Sequence, residues 1–306
     1  MSDVLECQMD IFDFIEKNEN KELQKIKVLS LFDGISCGMV ALERAGISVK
    51  KYVAYEIDED AINVSKSNYP QIEHKGDVFE ANYIEGEFDL LIGGSPCTFW
   101  SVARTRGGRE TTSSGFGFEL FMQYVRALRE AKPKYFLYEN NFSINKDIKD
   151  EITKELGVEP IMINSGLVSA QNRKRMYWTN IPDVELPEDR NILLSDVVDF
   201  SNHNFREVGK WVFEYWGGKK KIDGLKTINS DKSHTLTTSK THPMNYYLNE
   251  DKTKYCNLSI NDWEKLQTLP EGYVDKVNIK QGAKYKGIGN GWTVDVISHI
   301  LRGIKG

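Results

Sequence analysis

From residue 26 to about residue 181 the chain alternates short apolar runs with stretches in which apolar residues recur every three or four positions. That alternation predicts βα units and a parallel sheet, whose strands are covered on both faces and whose crossovers carry helices. The apolar runs read as strands at KVLSLF (27–32), YVAYEI (52–57), FDLLIGG (88–94), YFLYEN (135–140), PIMINSG (160–166) and RMYWTNI (175–181). The clearest helix spans 116–132, where Phe116, Leu120, Phe121, Tyr124, Val125 and Leu128 share one face. After 181 the rhythm stops: Asn, Asp, Lys and Trp become frequent and Gly217 and Gly218 mark a turn, so a smaller unit begins there. A helix from Ser259 through DWEKLQTL and an amphipathic helix from Thr293 to Ile304 follow. The expected division is an extension over 1–26, a main α/β domain over 27–181 completed by 239–306, and a unit over 182–238 between its two parts.

Composition narrows the class. With 40% hydrophobic and 28% charged residues in 306, the chain is an ordinary globular protein, not a disordered or fibrous one. Its start, MSDVLECQMD, has no basic stretch or apolar run, and nowhere do about 18 apolar residues follow one another. A cytoplasmic location and no membrane partner are therefore expected. Cys7, Cys37, Cys97 and Cys256 have no paired spacing with each other or with histidines, which fits neither a disulfide scaffold nor a zinc site. Any special cysteine must act as a thiol. The net charge of −5 conceals an asymmetry: residues 1–26 carry seven acids against three lysines, while 201–245 carry eight bases against four acids. The later stretch is modestly basic.

The first strand ends in LFDGISCG and runs into a helix, placing Gly34 and Gly38 in a βα turn at the carboxyl edge of the sheet, where open α/β sheets bind ligands. Glu56 closes the second strand 18 residues after Gly38, near the offset at which an acidic residue meets a ribose. A nucleoside-bearing cofactor is expected. The loop has neither the dinucleotide nor the P-loop glycine spacing, so a pyrophosphate or triphosphate is not indicated. At the same edge the third strand ends in GGSPC and presents Cys97, the next junction carries Glu139 and Asn140, and QNRKR supplies Gln171, Arg173 and Arg175. Thiol, carboxyl and guanidinium groups would then converge on one cleft.

In these motifs the sequence resembles the cytosine-C5 DNA methyltransferases, from roughly Lys27 to Gly303 in the family's motif order: FDGxxxG (Phe32 to Gly38), Glu56, Gly76 and Asp77, GGSPC (Gly93 to Cys97), Glu139 and Asn140, QxRxR (Gln171 to Arg175) and GIGNGWTVDVI (287–297). Its Trp292 form looks most like the de novo branch and its bacterial or phage relatives. The resemblance implies a Rossmann-like S-adenosylmethionine-dependent fold with a small target-recognition domain at 182–238. It further implies methyl transfer to carbon 5 of cytosine in double-stranded DNA, with S-adenosylhomocysteine as product. Carbon 5 is a weak nucleophile, so a thiolate must first add to carbon 6. Cys97 is the expected nucleophile, Glu139 the group that meets N3, and Arg173 and Arg175 the holders of the base carbonyl and the carboxylates. By the same resemblance Phe32 stacks on the adenine, Asp33, Gly34 and Ile35 contact the amino-acid end, Glu56 binds the ribose and Asp77 the adenine amino group. Ile57, Val78, Gly94, Asn290 and Trp292 complete the cofactor set.

Chemistry on a base takes it out of the duplex. Arg104, Arg106 and Arg109, in the small-residue stretch after Cys97, are the expected phosphate contacts, joined by Lys219 and Lys220 of the recognition unit. Thr98 stands where the family usually has Gln or Asn, and Asn141 where it usually has Val. In the extension, QMDIF (Gln8 to Phe12) is similar to the peptide by which bacterial proteins dock on the replication sliding clamp. The competing expectation is an amphipathic helix packing on the body. An RNA methyltransferase of the same fold and a catalytically silent DNA-binding homologue are the rival readings.

Overall fold

The computed structural model describes residues 25–96, 99–100, 110–215 and 222–304. A seven-stranded sheet of order β3-β2-β1-β4-β5-β7-β6 forms the main layer, with β1 at Ile26–Leu31, β2 at Val49–Tyr55, β3 at Glu73–His74, β4 at Leu90–Gly93, β5 at Tyr135–Asn141, β6 at Ile161–Asn164 and β7 at Lys174–Thr179. Strands β1 to β5 pair in parallel, in register Val28 with Tyr52 and with Leu90. The buried runs of β1, β4 and β5 and the second half of β2 fit a sheet covered on both faces.

Alternate residues of β1 serve two cores. Val28 packs with Val40 and Leu42 of helix α1 (Cys37–Arg44) and Ile297 and Ile300 of the last helix. Leu29 and Leu31 pack with Phe121, Tyr124 and Val125 of a second-face helix (Phe116–Ala131) and Ile148 and Ile152 of another (Lys146–Leu156). Helix α2 (Glu59–Asn68) starts at Asp58, whose carboxylate accepts the Asp60 and Ala61 amides. Near the chain's end come α3 (Ile260–Leu266), α4 (Gln281–Asn290) and α5 (Val294–Leu301), and α5 lies against α1, with Arg44 and Asp295 paired at 2.7 Å.

The sequence reading differs from the structure at two places. The 160–166 and 175–181 runs do form strands, but β7 lies between β5 and β6 and is antiparallel to both. The connection at 165–173 is shorter than the dozen or so residues a parallel crossover requires, so the chain can only fold back. As a result β7 begins where β5 ends, and Arg175 pairs in register with Asn141. The second difference is a small sheet of order β8-β11-β10-β9, made by Arg206–Glu207, Lys226–Thr227, Tyr246–Leu248 and Lys254–Asn257. It has its own core of Ile222, Leu225, Leu248 and Tyr255 and draws strands from both sides of the boundary drawn at 238. Lys232 Nζ ties the 182–238 stretch to the main domain by donating to the carbonyls of Gly166 and Ser169, and it also donates to that of Ile192. Among the described residues no helix is long and apolar enough to cross a membrane.

Candidate active site

The carboxyl edge of the main sheet opens into a cavity of about 900 Å³. Its floor is the turn after β1, where Phe32, Gly34 and Ser36 all have positive φ. Glycine adopts that conformation freely, and a Cβ added to Gly34 would meet nothing within 4 Å, so open space adjoins the loop. Phe32 at φ 57° is unusual for a bulky side chain, and such backbone persists where the surroundings over-determine it. Those surroundings are visible. Asp33 turns inward, and its carboxylate accepts from the hydroxyls of Ser30 (2.6 Å), Tyr52 (2.7 Å) and Ser36. Burial pushes the Asp33 carboxyl up, opposed by these three hydrogen bonds. Asp33 therefore braces the loop from within while also lining the cavity. Glu56, at the end of β2, spans the loop: one oxygen accepts the Gly34 amide and the other the Ile57 and Asp58 amides, each at 2.8 Å.

The opposite wall carries Glu139, Arg173, Arg175 and Trp292, with Gly94, Ser95 and Pro96 at the end of β4. Arg175 Nε lies 3.0 Å from Glu139 Oε1, and the Trp292 indole N–H donates to Oε2 at 2.9 Å. A Cβ on Gly94 would come within 2.9 Å of both the Glu139 carbonyl and Oε2, so only glycine lets β4 pass the carboxylate this closely. Asn141, at the place of the family's usual Val, is buried and accommodated: its side-chain amide donates to Asn140 Oδ1 and its oxygen accepts from Ser143.

Arg173, which lines the cavity, also has a task within the fold. Its guanidinium is buried and donates to the carbonyls of Leu236, Gly289 and Gly291 at 3.0–3.3 Å. Buried carbonyls need such donors, and these three lie where the 235–238 segment meets the end of α4. Gln171 works alongside it, accepting the Leu236 amide and donating to Gln267, whose own amide donates to the Ile288 and Gly291 carbonyls. Arg173 thus positions backbone, and Arg175 pairs with a carboxylate.

Of the residues expected at the site, Phe32, Asp33, Gly34, Ile35, Glu56, Gly94, Glu139, Arg173, Arg175, Asn290 and Trp292 line the one cavity. Ile57, Asp77 and Val78 are not in its lining: Ile57 is 71% exposed, Val78 is buried, and Asp77 accepts the Phe79 amide as the cap of a short helical turn. Cys97, Arg104, Arg106, Arg109, Lys219, Lys220 and the Gln8 to Phe12 peptide lie outside the described residues. The sequence reading missed Thr235, Thr237 and Thr238, which also line the cavity. The hydroxyl-rich run SHTLTTSKT was their signal. It missed too that Lys284 and Lys286 flank the mouth opposite Asp58 and Asp60, with Lys286 paired to Asp58. Cys37 lines the cavity as well, but burial pushes its thiol up to about 12, so at neutral pH it is a protonated filler and not a nucleophile.

Known proteins resemble this chain in sequence and in fold. The chain is 31% identical over 255 residues to the orphan methyltransferase M.SPRI of Bacillus phage SPR, a match covering 75% of this chain and 53% of that protein. It is 27% identical over 327 residues to the type II methyltransferase M1.ScrFI of Lactococcus lactis subsp. cremoris, covering 92% and 78%. The chain spans about half the length of the two Bacillus phage relatives it matches. Among solved structures it shares its fold with a DNMT2 variant of Spodoptera frugiperda (TM-score 0.68, 18% identity, 91% and 99% covered) and with S. pombe Dnmt2 methyltransferase (TM-score 0.65, 18% identity, 91% and 98% covered). The profile of C-5 cytosine-specific DNA methylases matches over residues 26–185 and 143–306, and with that match across both halves the chain belongs to this family.

Proposed function

We propose that the protein methylates carbon 5 of cytosine in double-stranded DNA, with S-adenosylmethionine as donor and S-adenosylhomocysteine as product. The observation that carries this reading is that the glycine loop with Glu56 and the Glu139–Arg175 pair line one cavity, so a cofactor and a base can meet there. At about 900 Å³ it stands near the top of the ~300–1,000 Å³ range of ligand pockets, which suits a nucleoside-sized cofactor beside one base. The open space at Gly34 and the carboxylate of Glu56 across from it fit the cofactor's amino-acid and ribose parts. Bound there, S-adenosylmethionine supplies an electrophilic methyl carbon.

The protein's own groups do the rest. The target cytosine leaves the duplex and enters beside Glu139. Cys97, directly after the cavity-lining Pro96, adds as a thiolate to carbon 6 and makes carbon 5 nucleophilic. Glu139 holds the N3 edge, and Arg175 fixes that carboxylate and faces the base carbonyl. Once carbon 5 carries the methyl group, water takes its proton, the freed electron pair re-forms the 5,6 double bond, and the carbon–sulfur bond breaks so that Cys97 leaves as a thiolate. Arg104, Arg106, Arg109, Lys219 and Lys220 contact phosphates, and the 182–238 region reads the DNA, so binding weakens as salt rises.

The deciding experiment is methyl transfer from labelled S-adenosylmethionine to unmethylated duplex DNA, comparing wild type with Cys97→Ala and locating the product by bisulfite sequencing. Label on carbon 5, absent from the variant, is the expected result and also reads out the recognised word. A wild-type enzyme that binds S-adenosylhomocysteine but labels only transfer RNA, or nothing, overturns the proposal.

A further inference from the structure

Trp292 touches both halves of the cavity. One edge of its ring approaches α1, where a Cβ on Gly38 would sit 3.5 Å from Cζ3. From its opposite end the indole N–H donates to Glu139 Oε2 at 2.9 Å. The backbone on either side of the residue is pinned. The Gly291 carbonyl accepts from Arg173 Nη2 and Gln267 Nε2, both at 3.0 Å, the Thr293 hydroxyl donates to Gln267 Oε1 at 2.7 Å, and the Val294 amide donates to the Gln267 carbonyl. Four hydrogen bonds thus fix the backbone that carries the indole. Arg175 Nε lies against the other carboxylate oxygen, at 3.0 Å. A carboxylate held at one oxygen can still swing about its last bond, because that torsion is broad, and the second donor removes the freedom.

We infer that Trp292 is a positioning residue for Glu139, fixing the plane of the carboxylate that receives the target base, in addition to walling the cofactor side of the cavity. This rests on the cytosine methylation proposed above. It assigns the last motif a part in base activation and makes the two halves of the site share one side chain.

The test is Trp292→Phe, which keeps an aromatic ring and removes the N–H, combined with Glu139→Gln in a double-mutant cycle. The expected result is a fall in kcat of about tenfold or more, the size set by losing a hydrogen bond to a charged group. The KM for S-adenosylmethionine and the affinity for S-adenosylhomocysteine should stay within about threefold. In the Glu139→Gln background the same Phe substitution should change kcat less than about twofold, because the charge-assisted bond it removes is already gone. A general packing defect would persist in that background. Gly94→Ala crowds the same Oε2, and the Glu139 carbonyl with it, and should likewise lower kcat even where the Phe variant folds poorly. A kcat unchanged in Trp292→Phe, or a loss undiminished in the Glu139→Gln background, overturns the inference alone. A wild-type protein that transfers no methyl group to DNA overturns the parent reading and this one together.

Discussion

Glu139 has both oxygens engaged from different parts of the chain, one paired with the Arg175 guanidinium of β7 at 3.0 Å and the other accepting from the Trp292 indole of the last motif. An ammonium in place of the guanidinium cannot offer Nε to the carboxylate while Nη1 donates to the Lys174 carbonyl as Arg175 does. Arg175→Lys should therefore lower the methylation rate at saturating cofactor by about tenfold or more, because the close ion pair at 3.0 Å loosens, with little change in melting temperature. The thiols make a second prediction. Burial pushes both Cys37 and Cys256 from an ordinary 9.0 up to about 12. Iodoacetamide at pH 8 should leave both unmodified in the native protein, as peptide mass spectrometry would show. The folded state keeps protons that the unfolded chain releases near pH 9. The stabilisation is thus complete below pH 9 and is lost as pH rises toward 12, so the urea midpoint should be lower at pH 10.5 than at pH 8.

Between elements, the closest approach is that of α4 to the 235–238 segment. A Cβ on Gly289 would sit 1.9 Å from the Thr237 carbonyl oxygen, backbone against backbone, with no side chain able to swing away. Gly289→Ala should cost at least about 1–3 kcal/mol, as overpacking does, and lower the melting temperature in calorimetry by several degrees. Gly34→Ala, strained in φ but facing open space, makes a milder control. The elements were legible in the sequence where the signal is local. Strands β1, β2, β4 and β5 announced themselves as apolar runs, and the helix at Phe116–Ala131 by its spacing. The direction of β7 was not legible as read, because strand sense depends on the length of the connection and not on the apolar run itself. Strands of two to four residues such as Lys226–Thr227 and Lys254–Asn257 carry too few positions for any period to show.

The whole molecule closes around its cavity through contacts of very long sequence separation, such as the Tyr273 hydroxyl on the Ile35 carbonyl, 238 residues apart. Site residues could be named from motifs because each motif carries its own chemistry. What Arg173 binds could not, since its three carbonyl partners come from segments that meet it only in the finished fold. A cavity assembled this way exists only in the native state, so a ligand that fills it stabilises the chain by mass action. S-adenosylhomocysteine at a hundredfold excess over its Kd should add about 2.7 kcal/mol and raise the melting temperature by several degrees, increasing with the logarithm of its concentration.

The packing of α5 on α1 bears on how the protein is made. The apolar side of α1, with Val40, Ala41 and Leu42 buried in the finished structure, is synthesised early, whereas part of its cover lies near residue 300. At ~5–20 residues per second, ribosomes take on the order of tens of seconds to travel between the two. Throughout that interval the nascent chain presents a sticky, half-clothed helix, and chaperone binding during translation should concentrate on the first βα unit until the final helix emerges.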